Sequence, residues 1–135
     1  MSNLIQPSLF LRRALWADAI VSGAVGALMA AGAEPLHDLL GLPAPLLRVV
    51  GLAFIPYVAY LVWLAMRRTA PRPAVWAPIV LNVAWALECG VVLLGGWLSP
   101  PALGQAFIAV QIVAVLLFAA LQFIGLRRAC AIVPA

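Results

Sequence analysis

At 135 residues the chain is 67% hydrophobic and 9% charged, with a mean hydropathy of +1.15, whereas a soluble domain is only about half apolar. This excludes a soluble globular domain and points to an integral membrane protein. The eight basic residues are all arginine and give a net charge of +4, but they stand in short clusters at the ends of apolar runs, as membrane flanks do, and no nucleic-acid partner is expected.

After a short lead, Arg12-Arg13 precede the first apolar run, residues 14–33. The run reads as a retained transmembrane helix. A signal peptide is the competing reading, with Ala31-Gly32-Ala33 imitating a cleavage site, but the run is long for a signal core and contains Asp18. Asp18 itself reads as an interfacial acid, close to the helix start and to the arginines. Ala19, Gly23 and Ala27, and likewise Gly26 and Ala30, have the small-xxx-small spacing that lets a second backbone come close.

Pro35 is expected to end this helix. Leu36, Leu39 and Leu40 then outline a short interfacial helix over residues 35–41, with His37 and Asp38 off its apolar face. His37 is the only histidine, so neither a bis-histidine haem nor a multi-histidine metal site is available, and no cofactor is expected. The second span covers residues 46–66, opens on Pro45 and contains Pro56, which removes a backbone hydrogen bond and marks a candidate hinge. Tyr57, Tyr60 and Trp63 form its aromatic face.

A basic link, Arg67 to Pro73, leads into the third span, residues 75–97. This span carries Asn82 and Glu88, and Glu88 lies roughly 20 Å along the helix at about 1.5 Å per residue. A carboxyl at membrane depth is a functional candidate in its own right. Ser99-Pro100-Pro101 start the fourth span, residues 102–126, with Ser99 the expected cap. Gln111 and Gln122 are nearly in phase on this helix and should face the bundle. Counted from the outer side, Gln111 and Glu88 both fall about 12 to 13 Å deep, so a Glu88–Gln111 hydrogen bond is expected, with Arg48 as the rival partner. Asn82 and Tyr57 complete the candidate polar site. Cys89 and Cys130 form no CxxC pair and are expected to stay unbridged.

Seven of the eight arginines fall at the N-terminal flank, the central link and the C-terminal flank. The positive-inside rule then places both termini in the cytoplasm. An ungapped echo at a period of 60, Trp16-Ala17 with Trp76-Ala77 and Arg67-Arg68 with Arg127-Arg128, suggests two similar helical hairpins. The expected fold is all-α, a single four-transmembrane-helix bundle.

The four short helices, the segment Pro35-Leu36…Leu39-Leu40-Gly41-Leu42-Pro43 followed by Arg48 and Gly51, and the closing Gly125-Leu126-Arg127-Arg128 resemble small bacterial integral membrane proteins of the DoxX-like and SPW-repeat-like kind. The resemblance implies a four-helix bundle in a bacterial inner membrane and assigns no chemistry. The chain has no nucleophile–base pair, metal cluster or phosphate loop in its sequence. The expectation is a non-catalytic protein that binds membrane lipid or an apolar small molecule, or serves as a subunit of a homo-oligomer or a larger membrane assembly. A proton-coupled transporter or channel using Glu88, and a small membrane enzyme, are the alternatives.

Overall fold

The computed structural model describes residues 4–96 and 98–131. Trp97, the expected end of the third span, and the Cys130 side chain, on which the reading of the cysteines depends, lie outside the described residues. Among the described residues the chain is all-α apart from three very short strands. In order it forms β1 (Leu4–Gln6), α1 (Leu9–Ala31), α2 (Ala33–Leu40), α3 (Ala44–Met66), β2 (Ala70–Pro71), α4 (Arg72–Leu94), α5 (Ala102–Arg128) and β3 (Cys130–Ala131). Helices α1, α3, α4 and α5 are 23, 23, 23 and 27 residues long and apolar enough to cross a membrane, because about 20 residues suffice for a hydrocarbon core of about 30 Å.

Helix α1 starts earlier than its hydropathy suggests. Ser8 caps it, accepting a hydrogen bond from the Leu11 amide at 3.2 Å, and this draws Arg12 and Arg13 into the first turns. The break after α1 falls at Gly32, three residues before Pro35, which instead sits in the first turn of α2, where a missing amide hydrogen costs nothing. Gly41, at φ 68°, closes α2 in the left-handed conformation, its amide bonded to the His37 carbonyl at 2.9 Å. The His37 ring donates from Nδ1 to the Leu42 carbonyl at 2.7 Å. Helix α5 is capped by Pro101 and not by Ser99, and Gln105 donates its side-chain amide to the Pro100 carbonyl at 3.2 Å.

The bundle consists of two hairpins, α1 against α3 and α4 against α5, joined along α1 and α5. The small residues of α1 set the first hairpin: a Cβ added at Gly51 would lie 2.5 Å from the Ala30 nitrogen and 2.6 Å from the Gly26 oxygen, so any larger side chain would force α1 and α3 apart. Helices α3 and α4, although consecutive, touch little. They meet at their linked ends, where Pro78 cannot donate to the Ala74 carbonyl one turn back and the Tyr60 hydroxyl donates to it instead. Beyond that tie they diverge.

The strands pair antiparallel in the order β2-β1-β3, with Ile5 opposite both Ala70 and Ala131. They bring both ends of the described chain and the α3–α4 link to one end of the bundle. Arg12, Arg13, Arg67, Arg68, Arg72, Arg127 and Arg128 gather there, and three of them lie over aromatic rings: Arg67 over Trp63 at 5.0 Å, Arg127 over Phe123 at 5.7 Å and Arg128 over Phe10 at 5.6 Å.

Candidate functional site

A carboxylate stands at the centre of the bundle, and it is Asp18. Its residue is fully buried, and each of the four long helices contributes to its surroundings. Ser22, one turn along α1, donates to Oδ1 at 2.8 Å. On Oδ2 converge the Tyr57 hydroxyl from α3 at 2.7 Å, the Asn82 amide nitrogen from α4 at 2.9 Å and the Gln122 amide nitrogen from α5 at 2.7 Å. The Asn82 nitrogen also reaches the Gln122 oxygen at 3.3 Å. Three of the four bonds to the carboxyl fall on Oδ2 and one on Oδ1. No cation is bonded to it: the salt bridge found among the described residues is Arg48 with Glu34, at 3.4 Å on the surface.

Asp18 is therefore not the interfacial acid expected from the sequence. With α1 beginning at Leu9, Asp18 lies about 13 Å along the helix at about 1.5 Å per residue, near its middle. Its phase also turns it inward, since Leu11, Leu15, Ser22, Gly26 and Met29 are buried on the same stripe.

Two of the expected site residues, Tyr57 and Asn82, belong to this network. The expected contact between Glu88 and Gln111 is not formed. Gln111 accepts from the Trp85 indole nitrogen at 2.9 Å, and Glu88 is exposed on the outer surface of the bundle. The levels agree with the expectation; the angles do not. Glu88 is six residues from buried Asn82, which rotates it about 120° around the helix. Arg48 does not reach down to Glu88 either, because Glu34 at the end of the bundle holds it. Gln122, which the sequence placed on the inward stripe of the fourth span, is fully buried and bonded to Asp18.

Where α3 and α4 diverge, a slot of about 560 Å³ opens between them. Phe54, Pro56, Tyr57 and Tyr60 line it from α3, Leu81, Asn82 and Trp85 from α4, and α1 and α5 form the back wall. Phe54 and Trp85 meet edge to face across it, ring centres 5.6 Å apart, while the Tyr60–Ala74 bond closes the arginine end. Ser22, Tyr57 and Asn82 are shared between slot and network: each lines the slot and each donates to Asp18. Pro56, the candidate hinge, faces the slot within an unbroken α3.

Among the described residues no group of His, Cys, Asp and Glu is arranged to hold a metal ion. The site is thus an apolar slot with the hydrogen-bonded carboxyl of Asp18 behind one wall. No protein family, curated protein or solved structure matches this chain.

Proposed function

We propose that the protein is a non-catalytic membrane protein that takes a lipid or other apolar small molecule from the bilayer into the slot between α3 and α4. The slot itself carries this reading: it lies between two apolar spans, at membrane depth, and is walled by apolar and aromatic side chains with a few polar groups at one side. A molecule dissolved in the bilayer enters between diverging helices without crossing the polar interface.

The reading includes an orientation. Both termini lie in the cytoplasm of a bacterium and the spans cross its inner membrane, with the arginine end of the bundle inside. The clustering of Arg12, Arg13, Arg67, Arg68, Arg72, Arg127 and Arg128 at one end, against Glu34 and Asp38 at the other, supports this.

The test is the extractable content of the protein purified from native membrane. A specific apolar species should co-purify in near-stoichiometric amount with the wild type and be lost from Ala114→Trp, which fills the slot from α5. Equal recovery from both proteins would overturn the reading.

A further inference from the structure

We propose that the occupant of the slot is a lipophilic cation, a molecule with an apolar, preferably aromatic body and a delocalised or quaternary positive charge. This rests on the slot being a binding site and goes further by assigning the charge of what it binds.

Three observations lead to it. The first is a buried carboxyl with no cation bonded to it. Asp18 is fully buried and its partners, Ser22, Tyr57, Asn82 and Gln122, are all neutral. Hydrogen bonds spread a negative charge over neighbouring dipoles but do not cancel it, and in a low-dielectric interior the remaining field reaches further than it would in water. Three of the four donors form the slot's own wall, so that field passes directly into the slot.

The second is the lining. Five aromatic side chains, Phe54, Tyr57, Tyr60, Trp85 and Phe118, face the slot, and no arginine or histidine does. Aromatic faces attract a cation through the ring quadrupole and do so most strongly where water is excluded. The same faces oppose an anion.

The third is Glu88. It follows Leu81 and Trp85, two slot-lining residues, at helical spacing on α4, and it is exposed at membrane depth. A second carboxyl therefore stands on the flank of α4 that borders the opening, about one turn beyond Trp85. All the arginines, by contrast, lie at the ends of the bundle, with Arg48 held by Glu34.

The size is compatible. A slot of about 560 Å³ accommodates a small multi-ring molecule with room to spare, within the range of about 300 to 1,000 Å³ usual for ligand pockets.

The experiment compares three probes of nearly equal shape: tetraphenylphosphonium, neutral tetraphenylsilane and anionic tetraphenylborate. Each competes for radiolabelled tetraphenylphosphonium on the full-length protein in nanodiscs of zwitterionic lipid, with empty nanodiscs subtracted. The cation should bind at least about ten-fold tighter than the neutral compound, with the anion weakest. Asp18→Asn should reduce that preference, and Asp38→Asn, which removes an exposed carboxyl on α2 away from the slot, should preserve it. If Asp18→Asn fails to fold, the three-probe ranking on the wild type decides alone. Equal or better competition by the neutral probe, lost in Ala114→Trp, would overturn the cation assignment and leave the slot as a site for neutral lipid. Absence of saturable binding for every probe, or binding unaffected by Ala114→Trp, would overturn the slot reading and this assignment with it.

Discussion

Asp18 and Glu88 are both carboxyls set in apolar 23-residue helices, and they have opposite surroundings. Asp18 is fully buried and receives four hydrogen bonds, one from each of Ser22, Tyr57, Asn82 and Gln122. Glu88 is exposed on the outer surface, and no hydrogen bond or salt bridge to it is found among the described residues. Both lie within the long helices, Glu88 about 9 Å along α4 from the level of Asn82 and Asp18. Helical phase decides their burial, because one lies on the stripe that four helices share and the other about 120° away from it. A charged residue within a span thus marks a centre only when its angle is known as well as its depth.

The sharpest way to break the comparison is to remove the inner carboxyl. Asp18→Leu leaves four donors facing an apolar side chain, and since each buried unmet donor costs about 1 to 3 kcal/mol, the loss should reach at least about 3 kcal/mol. Unfolding in mixed micelles of increasing denaturing detergent would measure it, and a loss below about 1 kcal/mol would mean that the network contributes nothing to folding. Asp18→Asn should cost somewhat less, about 2 to 3 kcal/mol, because one amide oxygen still accepts while its nitrogen meets other donors. Tyr57→Phe deletes a single donor and leaves three on the carboxylate, so about 1 to 2 kcal/mol is expected. The smallest effect belongs to the outer carboxyl: Glu88→Gln should stay within about 0.5 kcal/mol in the same assay. A larger loss there would show that Glu88 has a partner in the assembled protein and that the contrast with Asp18 is one of partner and not of burial.

The period of 60 in the sequence gains a structural counterpart at this centre. Ser22 and Asn82 are 60 residues apart, occupy corresponding places in the two hairpins and both donate to Asp18. Both differ from the apolar residues around them by a single polar group aimed inward.

The four spans, the one-sided arginines and the inward glutamines were legible because each is written in hydropathy, charge or helical period. Gln122 was found in this way, since its phase follows from Gln111. The depth of Asp18 is hidden in the sequence for a local reason. The Ser8 cap starts α1 at Leu9, within a stretch that carries two arginines and so looks like a flank, and every depth measured from a later start is too shallow. The inward stripe through Leu11, Leu15, Asp18 and Ser22 was nevertheless available to be counted. For Glu88 the complementary reason applies: its depth can be counted along the helix, but its angle to Asn82 decides that it does not meet Gln111. The strands could not be read at all, because segments as short as Ala70–Pro71 have no period to detect. The slot is likewise a property of the pairing of helices: it exists because α3 and α4, adjacent in sequence, each pack on another helix.

The small sheet has a consequence for how the protein is made. Ile5 lies between Ala70 and Ala131, so the early residues acquire one neighbour when half the chain has been synthesised and the other only after α5 is complete. Until then β1 keeps an unfilled edge, waiting for a segment that follows all four long helices. Closure of that edge therefore requires that α1, α3, α4 and α5 have all been made.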